Sequence, residues 1–386
     1  MGLFVPLFLH TVLIHTSIVV ARVTTTYKVV ELGLPVIWIG IITAGYSLLP
    51  IFFAVPLGRF IDRGFDSLAT RIGSALLLVS TIAFWLLPPN AGTLFVATVV
   101  LGVSQLACMA GHQMISIRAG RTVRGRDAIF GYHMVAIATG QALGPLTIGL
   151  LSGEASVPPT GLLFTIAVAL SAAGLVVSLF LPPAADAGAK DRVRSSATLT
   201  DLLGIRGLVA YLVASVITIT GLDLIVVYMP LLGHERGIDA STIGLLLAVR
   251  AASSMMARLV YVPMVEWLGR MPLTYLTMLG PAVAFAVIAS PSPLWLMFGA
   301  LIVCGIGLGI SATLTLSGVV DLAPLDARAT AMSLRLTGNR LGQMIIPFGA
   351  SLIAAATGTA GIFLLIGATL AGSAGGVWWS RSRRDD

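Results

Sequence analysis

The sequence predicts an all-α membrane protein: twelve transmembrane helices in two pseudo-symmetric six-helix bundles. Three observations lead there. Of 386 residues, 57% are hydrophobic and only 10% are charged. Soluble domains carry roughly 25% charged residues, so this chain cannot cover a water-facing surface. Twelve apolar runs reach the roughly 20 residues that a helix needs to cross a bilayer. The longest polar segment, 182–206, falls between the sixth and seventh runs. The same composition excludes a soluble enzyme, a disordered chain and a coiled coil. It excludes a nucleic-acid binder too, although the net charge is +7. Cys108 and Cys304 both lie in apolar runs and imply no disulfide framework.

Each element follows in order. Continuous apolar runs mean helices, because a β-barrel would show short alternating segments. Span one covers about 4–26 and lacks a basic leader, so it reads as a span and not a cleaved signal. Thr11, His15, Arg22 and Thr26 fall within about 60° of one another at 100° per residue and form one polar stripe. His10 lies off that stripe and reads as packing or headgroup contact. Lys28 and Glu31 sit at the mouth. Span two covers 37–57 and span three 69–87. Span four, 92–116, carries Gln105 and His112; span five, 128–151, carries His133, Gly140, Gly144, Pro145 and Gly149. Pro145 removes a backbone hydrogen bond and predicts a kink. His112 and His133 read as proton sensors near the inner face or as ordinary polar neighbours. Span six covers 161–181.

The second half begins with span seven, 207–231, which carries Asp223. Span eight, 241–262, places Arg250, Ser254 and Arg258 on one stripe. Span nine covers 273–290. Span ten, 294–317, holds Gly305, Gly307 and Gly309, which suit a gating bend or close packing. Span eleven, 330–355, aligns Arg335, Asn339 and Gln343, with Arg340 turned away from them. Span twelve covers 360–379.

Lys and Arg set the orientation. Seventeen of them lie in one set of loops and the C-terminal tail, and only Lys28 and Arg236 in the other. Both termini are therefore expected in the cytoplasm, with the chain in the inner (cytoplasmic) membrane. The halves also match internally. Gly33–Gly40 aligns with Gly237–Gly244 at an offset of 204, which also sets Asp62 on Glu266. Thr139–Gly144 aligns with Thr337–Gly342 at an offset of 198. The expected organisation is a bundle at 1–181, a cytoplasmic linker at 182–206 and a second bundle at 207–386. Parallel repeats around a central site are a transporter architecture.

Between spans two and three stands Gly58-Arg59-Phe60-Ile61-Asp62-Arg63-Gly64. It resembles the cytoplasmic signature of the major facilitator superfamily, Gly-x-x-x-Asp-Arg-x-Gly followed by basic residues. Glu266-Trp267-Leu268-Gly269-Arg270 resembles its weaker second copy. Gly140-x-x-x-Gly144-Pro145-x-x-x-Gly149 is similar to the motif of the family's drug/proton antiporter branches. There are departures. Gly64 follows Arg63 directly, Phe65-Asp66-Ser67 replaces the basic run, and span four has Gln105 without the arginine of many exporters.

The resemblance implies alternating access, with spans one, four, seven and ten lining a central cavity. It makes Gly58, Asp62, Arg63, Glu266, Gly269 and Arg270 a conformational latch. Gly58 would let two helices approach closely, and Asp62 would accept amides at the start of span three. Arg22 and Asp223, at comparable heights, can then pair across the cavity; the alternative is a static bridge, or Arg22 reaching the outer headgroups. Buried charges mark pathways or relays. The expected substrate and coupling residues are Arg22, Asp223, His15, Gln105, Arg250, Arg340 and Asn339. Three arginines against one deep acid favour an anionic or polar substrate.

The expectation is a secondary transporter, a proton-coupled antiporter exporting a small organic compound, with a proton symporter or a facilitative uniporter as alternatives. It is not expected to be an enzyme. The expected partners are a small-molecule substrate, protons and the lipid bilayer, with no nucleic acid, and the chain is expected to be a monomer. No cofactor or metal is expected, because no phosphate-cradling loop, Cys-x-x-Cys or His-Glu-x-x-His occurs.

Overall fold

The computed structural model describes residues 4–119, 123–181, 202–205, 207–324 and 327–382. Every regular element among them is helical. The first half contains α1 (Phe4–Glu31), α2 (Ile37–Phe60), α3 (Asp66–Leu86), α4 (Ala91–Ala119), α5 (Val123–Ser152) and α6 (Thr160–Ser178). The second contains α7 (Leu208–Glu235), α8 (Ala240–Leu259), the short α9 (Tyr261–Leu268), α10 (Arg270–Ala289), α11 (Leu294–Leu322), α12 (Arg328–Thr357) and α13 (Thr359–Ser382). Eleven of the described helices are both long and apolar enough to cross a membrane. The remaining long helix, α12, has 30 residues but carries Arg328, Arg335 and Arg340. Large apolar side chains such as Phe52, Val96, Leu150 and Val283 stand exposed along the helices, as a lipid-facing surface requires.

By compactness the chain divides into two units: Met1–Lys190 with Val226–Ala248, and Asp191–Ile225 with Val249–Asp386. The linker expected at 182–206 lies almost wholly outside the described residues. In the first unit α1 is the central helix and packs on α4, α5 and α6, while α3 packs on α4 and α6. Small residues set these distances, because lipid supplies no hydrophobic drive and association rests on close packing. A Cβ on Gly102 would run into the Tyr46 backbone, and one on Gly73 would stand 2.9 Å from the Cys108 amide. In the second unit α10 packs on α11 and α13. There Gly305 and Gly309 abut Arg250 and Ser254 of α8, and Gly307 faces Pro281 and the Thr277 carbonyl of α10. The span-ten glycines therefore serve close packing on two sides.

The internal repeat is visible in the turns. Gly33 and Gly237 have φ of 62° and 65°, Gly64 and Gly269 94° and 78°, and Gly153 and Gly358 62° and 75°. These pairs stand 204, 205 and 205 residues apart. The first pair ends α1 and α7 alike: Leu34 N–H reaches the Val29 carbonyl (3.1 Å) and Ile238 N–H the Gly233 carbonyl (2.8 Å). That six-to-one bond needs a left-handed residue, which glycine adopts without a steric penalty.

One expectation fails here. Nothing lies within 4 Å of a Cβ on Gly58, so Gly58 does not bring two helices together. The glycine that matters is Gly64, which turns the chain out of the π-type segment Ile61–Phe65 into α3.

Candidate functional site

In the first unit a polar group is built on α1, α2 and α4. Span one is apolar enough to be buried, so its few polar side chains must find partners. The Arg22 guanidinium carbon lies 4.2 Å from the centroid of the Tyr46 ring, a cation–π geometry. The buried Tyr46 hydroxyl donates to Gln105 Oε1. Beside Arg22 is a small recess lined by Arg22, Thr25, Thr26, Thr43, Thr98 and Val227 among others. Arg22 and Gln105 were expected from sequence; Tyr46, which joins them, was not. Its only signal was an aromatic hydroxyl inside an otherwise apolar span.

The second unit holds a different arrangement. Gln343 of α12 donates through Nε2 to the Asp223 carboxylate of α7. Arg340 in turn donates to Gln343 Oε1 at 3.4 Å. Arg340 was expected to turn away from the Gln343 stripe. It does not, because residues three apart on a helix are neighbours and a long side chain reaches across. Asn339 accepts from the Ser215 hydroxyl at 3.1 Å, a second link between α12 and α7. Arg335 donates to the Ala312 carbonyl at 3.3 Å. Arg250 is only 6% exposed. Its Nε, like that of Arg335, has no hydrogen-bond partner among the described residues.

Four histidines converge in the first unit, all at most 4% exposed. His10 Nδ1 lies 2.6 Å from His112 Nε2, and His10 Nε2 2.8 Å from Ser74 Oγ. The His112 and His133 rings meet edge to face, with centroids 5.5 Å apart. His15 packs its Cβ against Gly140 of α5. His10 is thus neither a packing residue nor a headgroup contact, and His112 and His133 are not isolated. Single-helix periodicity could not reveal this, because it says nothing about which faces of α4 and α5 meet α1.

The glycine-proline motif of α5 divides its work. Gly140 and Gly144 pack against α1, at His15 and Val19. Gly149 lies against α8, where a Cβ would stand 3.0 Å from the Ser241 carbonyl. The contact is reciprocal, since a Cβ on Gly244 would meet the Gly149 amide at 2.5 Å.

The expected latch is placed only in part. The Asp62 side chain lies outside the described residues. The described carboxylate at the start of α3 is Asp66, buried and accepting the Ser67 amide at 2.6 Å. Arg63 and Glu266 are exposed. Gly269 closes α9 with a left-handed turn. Arg270 pairs with Asp321 at the end of α11, an acid the sequence reading passed over. No group of three or more His, Cys, Asp or Glu among the described residues is arranged to hold a metal ion.

Comparison with solved structures places this fold among transporters. The nucleoside transporter NupG (D323A mutant) superposes with a TM-score of 0.82 at 15% identity, covering 98% of this chain and 100% of its own. A D-xylose-proton symporter gives 0.78 at 14%, covering 98% and 97%. A bacterial homolog of the human lysosomal transporter Spinster gives 0.75 at 15%, covering 98% and 96%. No curated protein sequence matches the chain. The family model described as Major Facilitator Superfamily matches at residues 7–220 and again at 211–386. Taken with the all-helical, multi-pass architecture and the paired turns, those matches make the chain a member of the Major Facilitator Superfamily, a membrane transporter and not an enzyme.

Proposed function

We propose that the protein is a proton-coupled antiporter that exports a small polar or anionic organic compound by alternating access. The observation that carries the substrate class is Arg250. A guanidinium that is buried with Nε unpartnered has at least one N–H whose lost hydration is not made good. A carboxylate or similar anion supplies what is missing, because it accepts two parallel N–H bonds from one guanidinium. Arg340, held by Gln343, and Asn339, held by Ser215, extend the polar lining on α12.

Asp223 is the proposed coupling group and Arg22 its partner, with Gln105 joined to Arg22 through Tyr46 and His15 on the same stripe of α1 as further residues of the substrate path. Deprotonated, Asp223 attracts Arg22; a proton or an anionic substrate competes for one or the other. Asp62, Arg63, Glu266, Gly269 and Arg270 remain the proposed latch, without the helix approach expected of Gly58, and Arg270–Asp321 is its described ion pair. The antiporter motif at Gly140, Gly144, Pro145 and Gly149 supports the exchange mode. The excess of Lys and Arg on one set of loops supports a cytoplasmic-membrane location with both termini inside. We assign the bundles to 1–181 and 207–386, and the working form to the monomer.

The test is flux in proteoliposomes under an imposed pH gradient. Export against the proton flow is expected from the wild type, and Asp223→Asn should abolish the gradient-driven part while the protein still folds. Unchanged driven flux in Asp223→Asn refutes the coupling role. Solute moving with the protons indicates a symporter, and flux indifferent to an uncoupler indicates a uniporter.

A further inference from the structure

The histidines of the first unit lie in a hydrogen-bond network whose direction can be read. Ser74 Oγ donates to the Thr70 carbonyl at 2.8 Å. Its proton is therefore committed, and it accepts from His10 Nε2 at 2.8 Å. A neutral His10 with its hydrogen on Nε2 accepts at Nδ1, so His112 Nε2–H donates to it across 2.6 Å. On the other side, Thr11 Oγ1 donates to the Leu7 carbonyl at 2.8 Å. It too is left as an acceptor, and both His112 Nδ1 and His133 Nδ1 face it at 3.4 Å.

A neutral His112 has spent its one N–H on His10 and brings none to Thr11. One added proton on His112 Nδ1 completes the contact and leaves every other bond in place. Both chains then run away from His112 and end on backbone carbonyls, so their dipoles favour a positive charge at its ring.

The surroundings hold the uptake to one proton. The His10 and His133 rings lie against His112, with centroids 4.7 Å and 5.5 Å away, and ionisable groups this close titrate as a unit. The α4 helix adds Cys108, whose thiol points to the Thr70 carbonyl at 3.7 Å. The α3 helix adds Asp66, which takes the Ser67 amide, and Arg71, which donates to the carbonyls of Ser178, Leu179 and Leu181. Arg22 of α1 is engaged by Tyr46, Tyr132 of α5 is exposed, and α6 carries no titratable side chain.

We infer that His10, His112 and His133, bridged by Thr11 and Ser74, form a proton-binding site that takes up one proton per molecule as a unit, separate from the Asp223 group. Its use in transport rests on the proton-coupled reading above; proton binding itself does not.

The experiment is therefore made without substrate. Purified full-length protein in detergent is titrated between pH 8 and pH 5 with a pH-indicator dye, for wild type, His112→Gln, His10→Gln and His133→Gln. Wild type should take up one proton more than His112→Gln, and His10→Gln and His133→Gln should each shift the midpoint of that uptake. Superimposed wild-type and His112→Gln curves overturn the site. So does loss of a proton in His112→Gln with no shift in the other two, because His112 would then act alone. Should His112→Gln fail to fold, ¹⁵N-histidine spectra of the wild type give the same reading. The chain has five histidines, and His234 serves as the reference. Coupled shifts of three imidazoles on one protonation support the inference, and independent titrations overturn it. Failure of the Asp223→Asn flux test leaves this titration intact, so the two claims fall separately.

Discussion

A guanidinium held inside a membrane protein must be compensated or must cost stability, and Arg250 makes the difference measurable. Its Nε is unpartnered among the described residues, so an apolar side chain of similar length should be tolerated better than the charge. A buried charge without full compensation costs stability, and an apolar side chain of similar length does not carry that cost. Arg250→Met is therefore expected to unfold at the wild-type Tm or a few degrees above it, as read by thermal denaturation in detergent. A fall of several degrees would show that the guanidinium is satisfied in the resting protein. The opposite holds for Tyr46, whose hydroxyl has a partner in Gln105. Tyr46→Phe keeps the ring under Arg22 but leaves the Gln105 acceptor without its donor, at a cost of about 1 kcal/mol. A small fall in Tm is expected, and none would mean that water replaces the bond. The charged residues could be found by reading the sequence, because charge in an apolar run is conspicuous. Tyr46 and the histidine network could not, because each depends on which faces of neighbouring helices meet.

At the scale of the element, the glycines separate packing from coincidence. Gly244 and Gly149 stand backbone to backbone between α5 and α8. A methyl group there cannot be accommodated without moving a helix, so Gly244→Ala should lower Tm clearly. Gly58 has open space about it, so Gly58→Ala should be neutral or stabilising by roughly 0.5–1 kcal/mol through helix propensity. If both substitutions behave alike, the assignment of close contact fails. The start of α8 offers a pH-dependent case outside the spans. Asp239 caps it, accepting the Thr242 amide at 2.6 Å together with the Ser241 and Thr242 hydroxyls. The Ser241 hydroxyl and then the Thr242 amide hold its carboxyl below the usual carboxylate value of 3.8. A depressed folded-state pKa means that the cap contributes fully above that usual value and fades as the pH falls through the lower one. Asp239→Ala should cost about 1 kcal/mol at pH 7. The difference from wild type should shrink only in strong acid, as acid-unfolding curves will show.

For the whole molecule, the sequence was most legible where physics depends on average composition. Helical class and the repeat follow from apolar length and from turn glycines: eleven described helices are long and apolar enough to span where twelve were expected, and the paired left-handed turns agree with the repeat. It was least legible where three helices converge. The break at Val260 and Gly269 that isolates α9 was hidden in an apolar run, and the Arg270–Asp321 pair joins the start of α10 to the end of α11 across 51 residues of sequence. The recess beside Arg22, the Asp223–Gln343–Arg340 chain and the histidine network share one property: a few polar groups are set in an apolar bundle, where each must be partnered by protein, proton or solute. That property underlies the proposed polar or anionic substrate class. The most direct measurement is a thermal-shift screen of purified wild type and Arg250→Met against organic acids, sugars and lipophilic cations at two pH values. A ligand at about 100 times its Kd stabilises the folded state by roughly 2.7 kcal/mol. An organic acid should raise the Tm of the wild type and leave Arg250→Met unmoved. Stabilisation by lipophilic cations alone, or by acids equally in both proteins, would contradict an anion site at Arg250.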